Sequence, residues 1–224
     1  VIEMYFELDG TFPNHEANPI EPSNLKDLQK AVKKNKADIG LAFDGDADRC
    51  FLVDEKGDLV NPSALTALIA TRELKRYPSS NIIYNLISSR AVKEVVEENG
   101  GTAVRSRVGH SYIKKLMAET NAVFGGEHSG HFYFRDFWKA DSGMLAALHA
   151  IAALGETEVP LSKLLSSFNR YHSSGEINST VSDAAAAMNK IEKIYGKKSG
   201  IEVDHLDGLT INGDNWWFNL RASN

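Results

Sequence analysis

The sequence has one cysteine, Cys50, which forbids an internal disulfide and fits a reducing, cytoplasmic setting. It has no long hydrophobic run. The longest near-apolar stretch, Met144 to Leu154, is about half of what spans a bilayer, so no transmembrane helix and no membrane partner are expected. It has no cluster of basic residues, and thirty acidic side chains against twenty-five basic ones leave a formal charge of −5. That balance argues against a nucleic-acid binder. Internal repeats, low-complexity linkers and a signal peptide are also lacking, and Val1 stands where a methionine would open a chain. What is there is a 224-residue chain, 42% apolar and 25% charged, ordinary for one large folded domain or two small ones.

The hydrophobic pattern predicts alternating strands and helices. Ile2 to Leu8 reads as a strand, and Ser23 is placed to cap a helix whose Leu25, Leu28 and Val32 share a face. Asp38 to Phe43 and Cys50 to Val53 read as strands on either side of an acidic loop. Asn61-Pro62 starts a helix ending near Tyr77, before Pro78. Strands at Ile82 to Leu86, Thr102 to Arg105, Ala122 to Phe124 and Phe132 to Phe134 then alternate with helices at Ser89 to Asn99 and His110 to Thr120. A long helix from Asp141 to Leu154 and another after Pro160 follow. This order indicates an α/β layer with a mostly parallel sheet. Beyond about Tyr171 the texture becomes α+β. Ile177 to Val181 looks extended, Asp183 opens an alanine-rich helix ending near Gly196, and Asn212-Gly213 marks a hairpin between Leu209–Ile211 and Trp216–Leu220.

Two loops carry chemistry. In Asp44-Gly-Asp46-Ala-Asp48-Arg49, three carboxylates at alternate positions after a buried strand can converge on one hard cation, and Gly45 lets the loop curl. Three protein ligands leave positions for water or a phosphate oxygen, which suits magnesium, and Arg49 adds a charge suited to phosphate. The plainer alternative is a solvated acidic turn. An EF-hand is disfavoured: Glu55 falls at the twelfth position only by count, with a strand between.

The second loop, Gly125-Gly-Glu127-His128-Ser129-Gly130-His131, places Glu127, Ser129 and His131 at alternate positions. In an extended loop they would point the same way, toward sugar hydroxyls, and His131 could move a proton near neutral pH. The plainer reading is a polar β-turn with incidental histidines. Zinc is disfavoured, since no cysteine or HExxH pattern accompanies His128 and His131.

The DGDADR string after an apolar strand resembles the metal loop of the α-D-phosphohexomutases, the phosphomannomutase and phosphoglucomutase superfamily. The 127–131 string is similar to that family's sugar-recognition loop, GE-x-S-[GA]-H. Further segments match in the same order: Asp9 to Pro19 resembles DGxFPNHxPNP, Val108-Gly109-His110 resembles VGH, and Arg221, Ser223 and Asn224 match the opening of a phosphate-binding loop. Read bare, the 9–19 stretch and the 108–110 segment are equally a structural loop and a helix cap, a free glycine backbone at a helix start being a phosphate neighbour as well. Trp138 and its aromatic neighbours read as packing.

The resemblance implies a chain of α/β middle domains: the rear part of the second domain at 1–58, the third at 59–170, and the start of an α+β fourth domain at 171–224. It implies magnesium on Asp44, Asp46 and Asp48, with Arg49 against the reacting phosphate. Glu127, Ser129 and His131 would lie on the sugar, His131 doubling as acid/base, and Gly109, His110, Arg221, Ser223 and Asn224 would bind substrate.

The implied activity is transfer of phosphate between the 1- and 6-oxygens of a hexose through a 1,6-bisphosphate and a phosphoserine. The partner is thus a phosphorylated mannose or glucose. The family's catalytic serine loop has no match here, Ser88-Ser89-Arg90 being the nearest cluster, so a truncated and by itself inactive chain is expected. The 127–131 string and the aromatic segment after it are most similar to the phosphomannomutase branch, with phosphoglucomutase close behind, while Ile87 and Arg107 depart from the family pattern. Two other readings are a non-catalytic metal- or sugar-phosphate-binding fragment and, less favoured, a phosphatase of the haloacid dehalogenase type.

Overall fold

Backbone pairing sorts the chain into three sheets in a computed structural model that describes residues 1–222. Ile39–Phe43 (β1) and Cys50–Asp54 (β2) form an antiparallel hairpin in which Phe43 faces Cys50, so residues 44–49 are the tip. Helix α1 (Lys26–Asn35) covers it, with Leu28 and Val32 pressed against Gly40, where a Cβ would stand 2.7 Å from Val32. A short 3-10 turn, Pro22–Leu25, precedes α1 and contains Ser23, which therefore caps nothing. Pro22 fixes the turn one residue before the serine, and α1 begins after Leu25 without a side-chain cap. The strand expected over Ile2–Leu8 does not form. Among the described residues no strand lies beside it to complete a ladder, and Ile2, Phe6 and Leu8 are exposed.

The central sheet has five strands in the order β4-β3-β5-β6-β7: Asn81–Asn85 (β3), Thr102–Ser106 (β4), Phe124–Gly126 (β5), Phe132–Phe134 (β6) and Ala140–Asp141 (β7). β3 pairs in parallel with β4 and β5, whereas β5–β6 and β6–β7 are antiparallel, so the sheet is mixed rather than mostly parallel. The reason is connection length. Helices α3 (Arg90–Glu98) and α4 (His110–Thr120) supply parallel crossovers, while only five residues join β5 to β6, which permits a hairpin alone.

Alternate strand residues face alternate layers. Ile82 packs with α2 (Pro62–Arg76), α3 and α5 (Gly143–Gly155), and Ile83 packs with Ile113 and Met117 of α4. Phe124, Phe132, Leu65 and Ile69 are fully buried, each contributing roughly 1.5–3 kcal/mol. Cys50 and Leu52 of the hairpin belong to the same cluster, so hairpin and central sheet share one core.

The cap read at Asn61 is in place, and Ser89 and Asp183, expected as helix starts, are the N-caps of their helices. β5 lies two residues later than expected, at 124–126 instead of 122–124. Pro160 precedes a short helix, α6 (Leu161–Leu164). Ile177 and Val181 are exposed and form no strand. The last sheet is antiparallel, β10-β9-β8: Glu202–Asp204 (β8), Leu209–Asn212 (β9) and Trp217–Leu220 (β10), packed by α7 (Ala184–Tyr195). Arg105 bonds Asp204 and Thr210, and Arg90 donates to the Gly213 and Asp214 carbonyls, which seats this sheet on the central unit.

Candidate functional site

The acidic loop is the tip of the β1–β2 hairpin, and its curl is fixed from within. Asp44 accepts the Arg49 backbone N–H at 3.0 Å and the Arg49 Nε at 2.6 Å, and Ala47, in left-handed conformation at φ 58°, donates to the Asp44 carbonyl. In this curl Asp44, Asp46 and Asp48 each bring a carboxylate oxygen within 4.8 Å of the others. Burial raises the Asp44 carboxyl, but the bonds from Arg49 outweigh it and hold the group below its usual range. Asp48 goes the other way: burial pushes it up and the Asp44 and Asp46 charges add to this, against the pull of His131. Its Oδ1 is buried without a hydrogen-bond partner. Convergent carboxylates with an unsatisfied buried oxygen match the needs of a hard divalent cation. Glu55 takes no part. It accepts the Ser162 N–H and Oγ–H at the start of α6, which closes the EF-hand reading.

The 127–131 loop is a tight hairpin turn between β5 and β6, not an extended segment. The Gly130 N–H donates to the Glu127 carbonyl, and Gly130 sits at φ 88° over the Phe51 ring, a position that requires glycine. Glu127 lies deeper than Ser129 and His131, although its Oε2 stays 3.8 Å from His131 Nδ1. It is 2% exposed, and its carboxylate accepts from the Gly109 N–H at 3.1 Å, the Tyr133 hydroxyl at 2.7 Å and Asn85 at 3.3 Å. Burial and the Glu127 charge push the Tyr133 hydroxyl far up. Ser129 and His131 do stay together, Ser129 Oγ lying 2.9 Å from His131 Nδ1. His131 Nε2 faces Asp48.

The two loops meet through main chain. Cys50 N–H donates to the Gly130 carbonyl, Arg49 and His131 form a bridge, and the Gly143 N–H donates to the Ala47 carbonyl. Gly143 is pressed so closely that a Cβ would stand 2.3 Å from the Arg49 carbonyl oxygen. Asp48, His131 and Asp141 thereby form a second convergent trio, in which Asp141 pairs with Lys114 at 2.9 Å. Arg49 also reaches Asn18, in the 9–19 stretch, at 3.2 Å.

Gly109 lies at the start of α4, but its N–H is committed to Glu127 and is not open to phosphate; His110 is exposed. Arg221 lies 4.0 Å from Asp207, whose carboxylate also accepts the Val108 N–H. Ser223 and Asn224 fall outside the described residues. Ser88 bonds Asn85 and Ser89 caps α3, so that serine pair is structural. Trp138 is 84% exposed at φ 54° on a hairpin tip, not packed as expected.

Sequence reasoning missed Asn85, Tyr133, Asn18 and Gly143. A lone polar residue ending the apolar run Ile82-Ile-Tyr-Asn85 was the available signal for the first.

Two family models match the chain: phosphoglucomutase/phosphomannomutase alpha/beta/alpha domain II over residues 1–57 and domain III over 61–171. A phosphomannomutase of Methanocaldococcus jannaschii is 44% identical over 216 residues, covering 96% of this chain and 47% of that protein. A phosphomannomutase of Salmonella typhimurium is 40% identical over the full chain and 49% of its own length. The chain thus spans about half the length of the curated relatives it matches. The crystal structure of a phosphoglucomutase/phosphomannomutase family protein from Burkholderia thailandensis superposes with a TM-score of 0.84 at 32% identity, over all of this chain and 48% of that one. Fold, motif order and these matches agree, and the chain belongs to the phosphoglucomutase/phosphomannomutase family, the α-D-phosphohexomutases.

Proposed function

We propose that this chain forms the cation- and sugar-binding middle of a cytoplasmic enzyme that moves phosphate between the 1- and 6-oxygens of a hexose. Mannose phosphate is the first choice and glucose phosphate the second. The observation that carries the reading is the backbone joint between the two loops, which sets His131 beside Asp48. A cation-binding cluster and a sugar-contacting imidazole then serve one substrate. The domain division at 1–58, 59–170 and 171–224 is part of the same proposal.

Asp44, Asp46 and Asp48 would hold magnesium. When bound, that cation neutralises charge on a transferring phosphoryl group. Arg49, fixed by Asp44 and Asn18, presents its guanidinium beside the cluster for a phosphate oxygen. Ser129 orients His131 through Nδ1, so the Nε2 edge contacts the sugar and exchanges a proton with a hydroxyl. Glu127 serves the sugar contact from beneath: its carboxylate fixes Gly109 and Tyr133 and stays 3.8 Å from His131 Nδ1. The nucleophile would be a phosphoserine outside these residues, with a hexose 1,6-bisphosphate as intermediate and activator.

A phosphorus NMR time course with magnesium, mannose 1-phosphate and a trace of the 1,6-bisphosphate tests this on the product of the whole reading frame and on this chain. Growth of a 6-phosphate signal with the whole product and silence from the 224-residue chain is the expected result. Free phosphate, or silence from both, overturns it.

A further inference from the structure

Two successive backbone N–H groups, of Val108 and Gly109, are each taken by a carboxylate from a different part of the chain. Gly109 donates to Glu127 of the β5–β6 turn, and Val108 donates to Asp207 Oδ2 of the β8–β9 turn, both at 3.1 Å. Gly109 is at φ 125°, which only glycine accepts readily, and in that conformation the two N–H groups reach carboxylates from two different turns. The same Asp207 oxygen lies 4.0 Å from Arg221. That is close enough to attract the guanidinium and too far to consume its donors.

The Asp207 turn is itself built in. Its carbonyl accepts from Asn219 at 2.9 Å, and Gly208 at φ 70° packs where a Cβ would meet the Leu220 carbonyl at 2.2 Å, one residue before Arg221. Arg107 adds a bond to the Leu206 carbonyl at 2.8 Å.

We propose that Asp207 is a positioning residue. It clamps the Val108–Gly109 peptide against the sugar loop and holds Arg221 poised over that segment to take a substrate phosphate. The proposal rests on the mutase reading for the role of Arg221, but not for the clamp. Because the hold on Arg221 is loose, an arriving phosphate dianion outcompetes a single carboxylate, and Arg221 changes partner.

The test uses Asp207→Ala and Asp207→Asn in the product of the whole reading frame, with backbone amide exchange at Val108 and steady-state kinetics on hexose 1-phosphate. In Asp207→Ala, Val108 exchange is expected to quicken about tenfold and KM to rise about tenfold with kcat little changed, the pattern of lost uniform binding. Asp207→Asn keeps an acceptor for Val108 and loses the charge, so it should restore amide protection while KM stays raised. Unchanged Val108 exchange in Asp207→Ala overturns the clamp. Normal KM in Asp207→Asn overturns the hold on Arg221. A protein without mutase activity would sink the functional reading, while the exchange measurement would still decide the clamp.

Discussion

His131 Nε2 lies 3.4 Å from Asp48 Oδ1, longer than a good hydrogen bond, and that oxygen is the one carboxylate atom buried without a partner among the described residues. An unsatisfied acceptor flanked by two further carboxylates is costly in an empty loop and favourable around a cation. Magnesium is therefore expected to raise the thermal midpoint of the chain, by the equivalent of about 2.7 kcal/mol at one hundred times Kd. Asp48→Asn should abolish that rise in a thermal-shift titration. A magnesium response that survives in the variant would place the ion elsewhere.

Gly143 meets main chain, not a movable side chain, at the acidic loop: its added Cβ would be 2.3 Å from the Arg49 oxygen and 2.6 Å from the Arg49 carbonyl carbon. Gly143→Ala should cost about 1–3 kcal/mol and weaken magnesium binding, because the contact that clashes also fixes the loop. Denaturant unfolding and calorimetric titration check the two effects together.

Glu127 receives donors only. Glu127→Gln can keep an oxygen on Gly109 and Asn85, but it loses the charge that strengthens these bonds and makes the Tyr133 hydroxyl accept instead of donate, so it should destabilise by roughly 1–2 kcal/mol. Tyr133→Phe removes one donor and should cost less. Equal midpoints for Glu127→Gln and the parent chain in urea would show that the brace carries no stability.

Burial pushes the Cys50 thiol from about 9 up to about 12. Below pH 9 folded and unfolded chains are both protonated, so the group contributes no pH slope. Between about 9 and 12 the unfolded chain loses its proton first, and stability falls as pH rises. Cys50→Ala should flatten that alkaline slope. At pH 8 the native thiol should resist a maleimide that labels it quickly in denaturant.

His149, stacked on Phe134, is lowered to about 4 by burial and by the Arg72 and Arg76 charges. The unfolded chain binds a proton near 6.5 that the folded chain refuses until about 4. Stability is thus lost as pH falls across that window. His149→Gln should show a shallower loss between those limits in pH-dependent urea melts.

Most helices were legible because their signals are local. Asn61-Pro62, Ser89 and Asp183 announce their own starts, and α4 runs from His110 to Thr120 as its apolar spacing predicts. Strand partners were not legible, because they belong to distant residues. Ile2–Leu8 has a strand's alternation and no strand beside it among the described residues, and Gly125-Gly126 reads as loop although Thr66 of α2 needs the room a Cβ would fill. The three aspartates were legible from their spacing. The burial of Glu127 was not, since its donors at Asn85, Gly109 and Tyr133 converge only in the folded chain.

The joint between the acidic loop and the 127–131 loop runs through Cys50, Gly130, Ala47 and Gly143 by way of N–H and carbonyl groups. Peptide groups are the same whatever residue bears them, apart from proline. Side-chain substitutions in the 127–131 loop can accumulate without shifting the carboxylates, provided Gly130 and Gly143 stay. A joint of this kind lets one loop change its side chains over evolutionary time while the other keeps a fixed address.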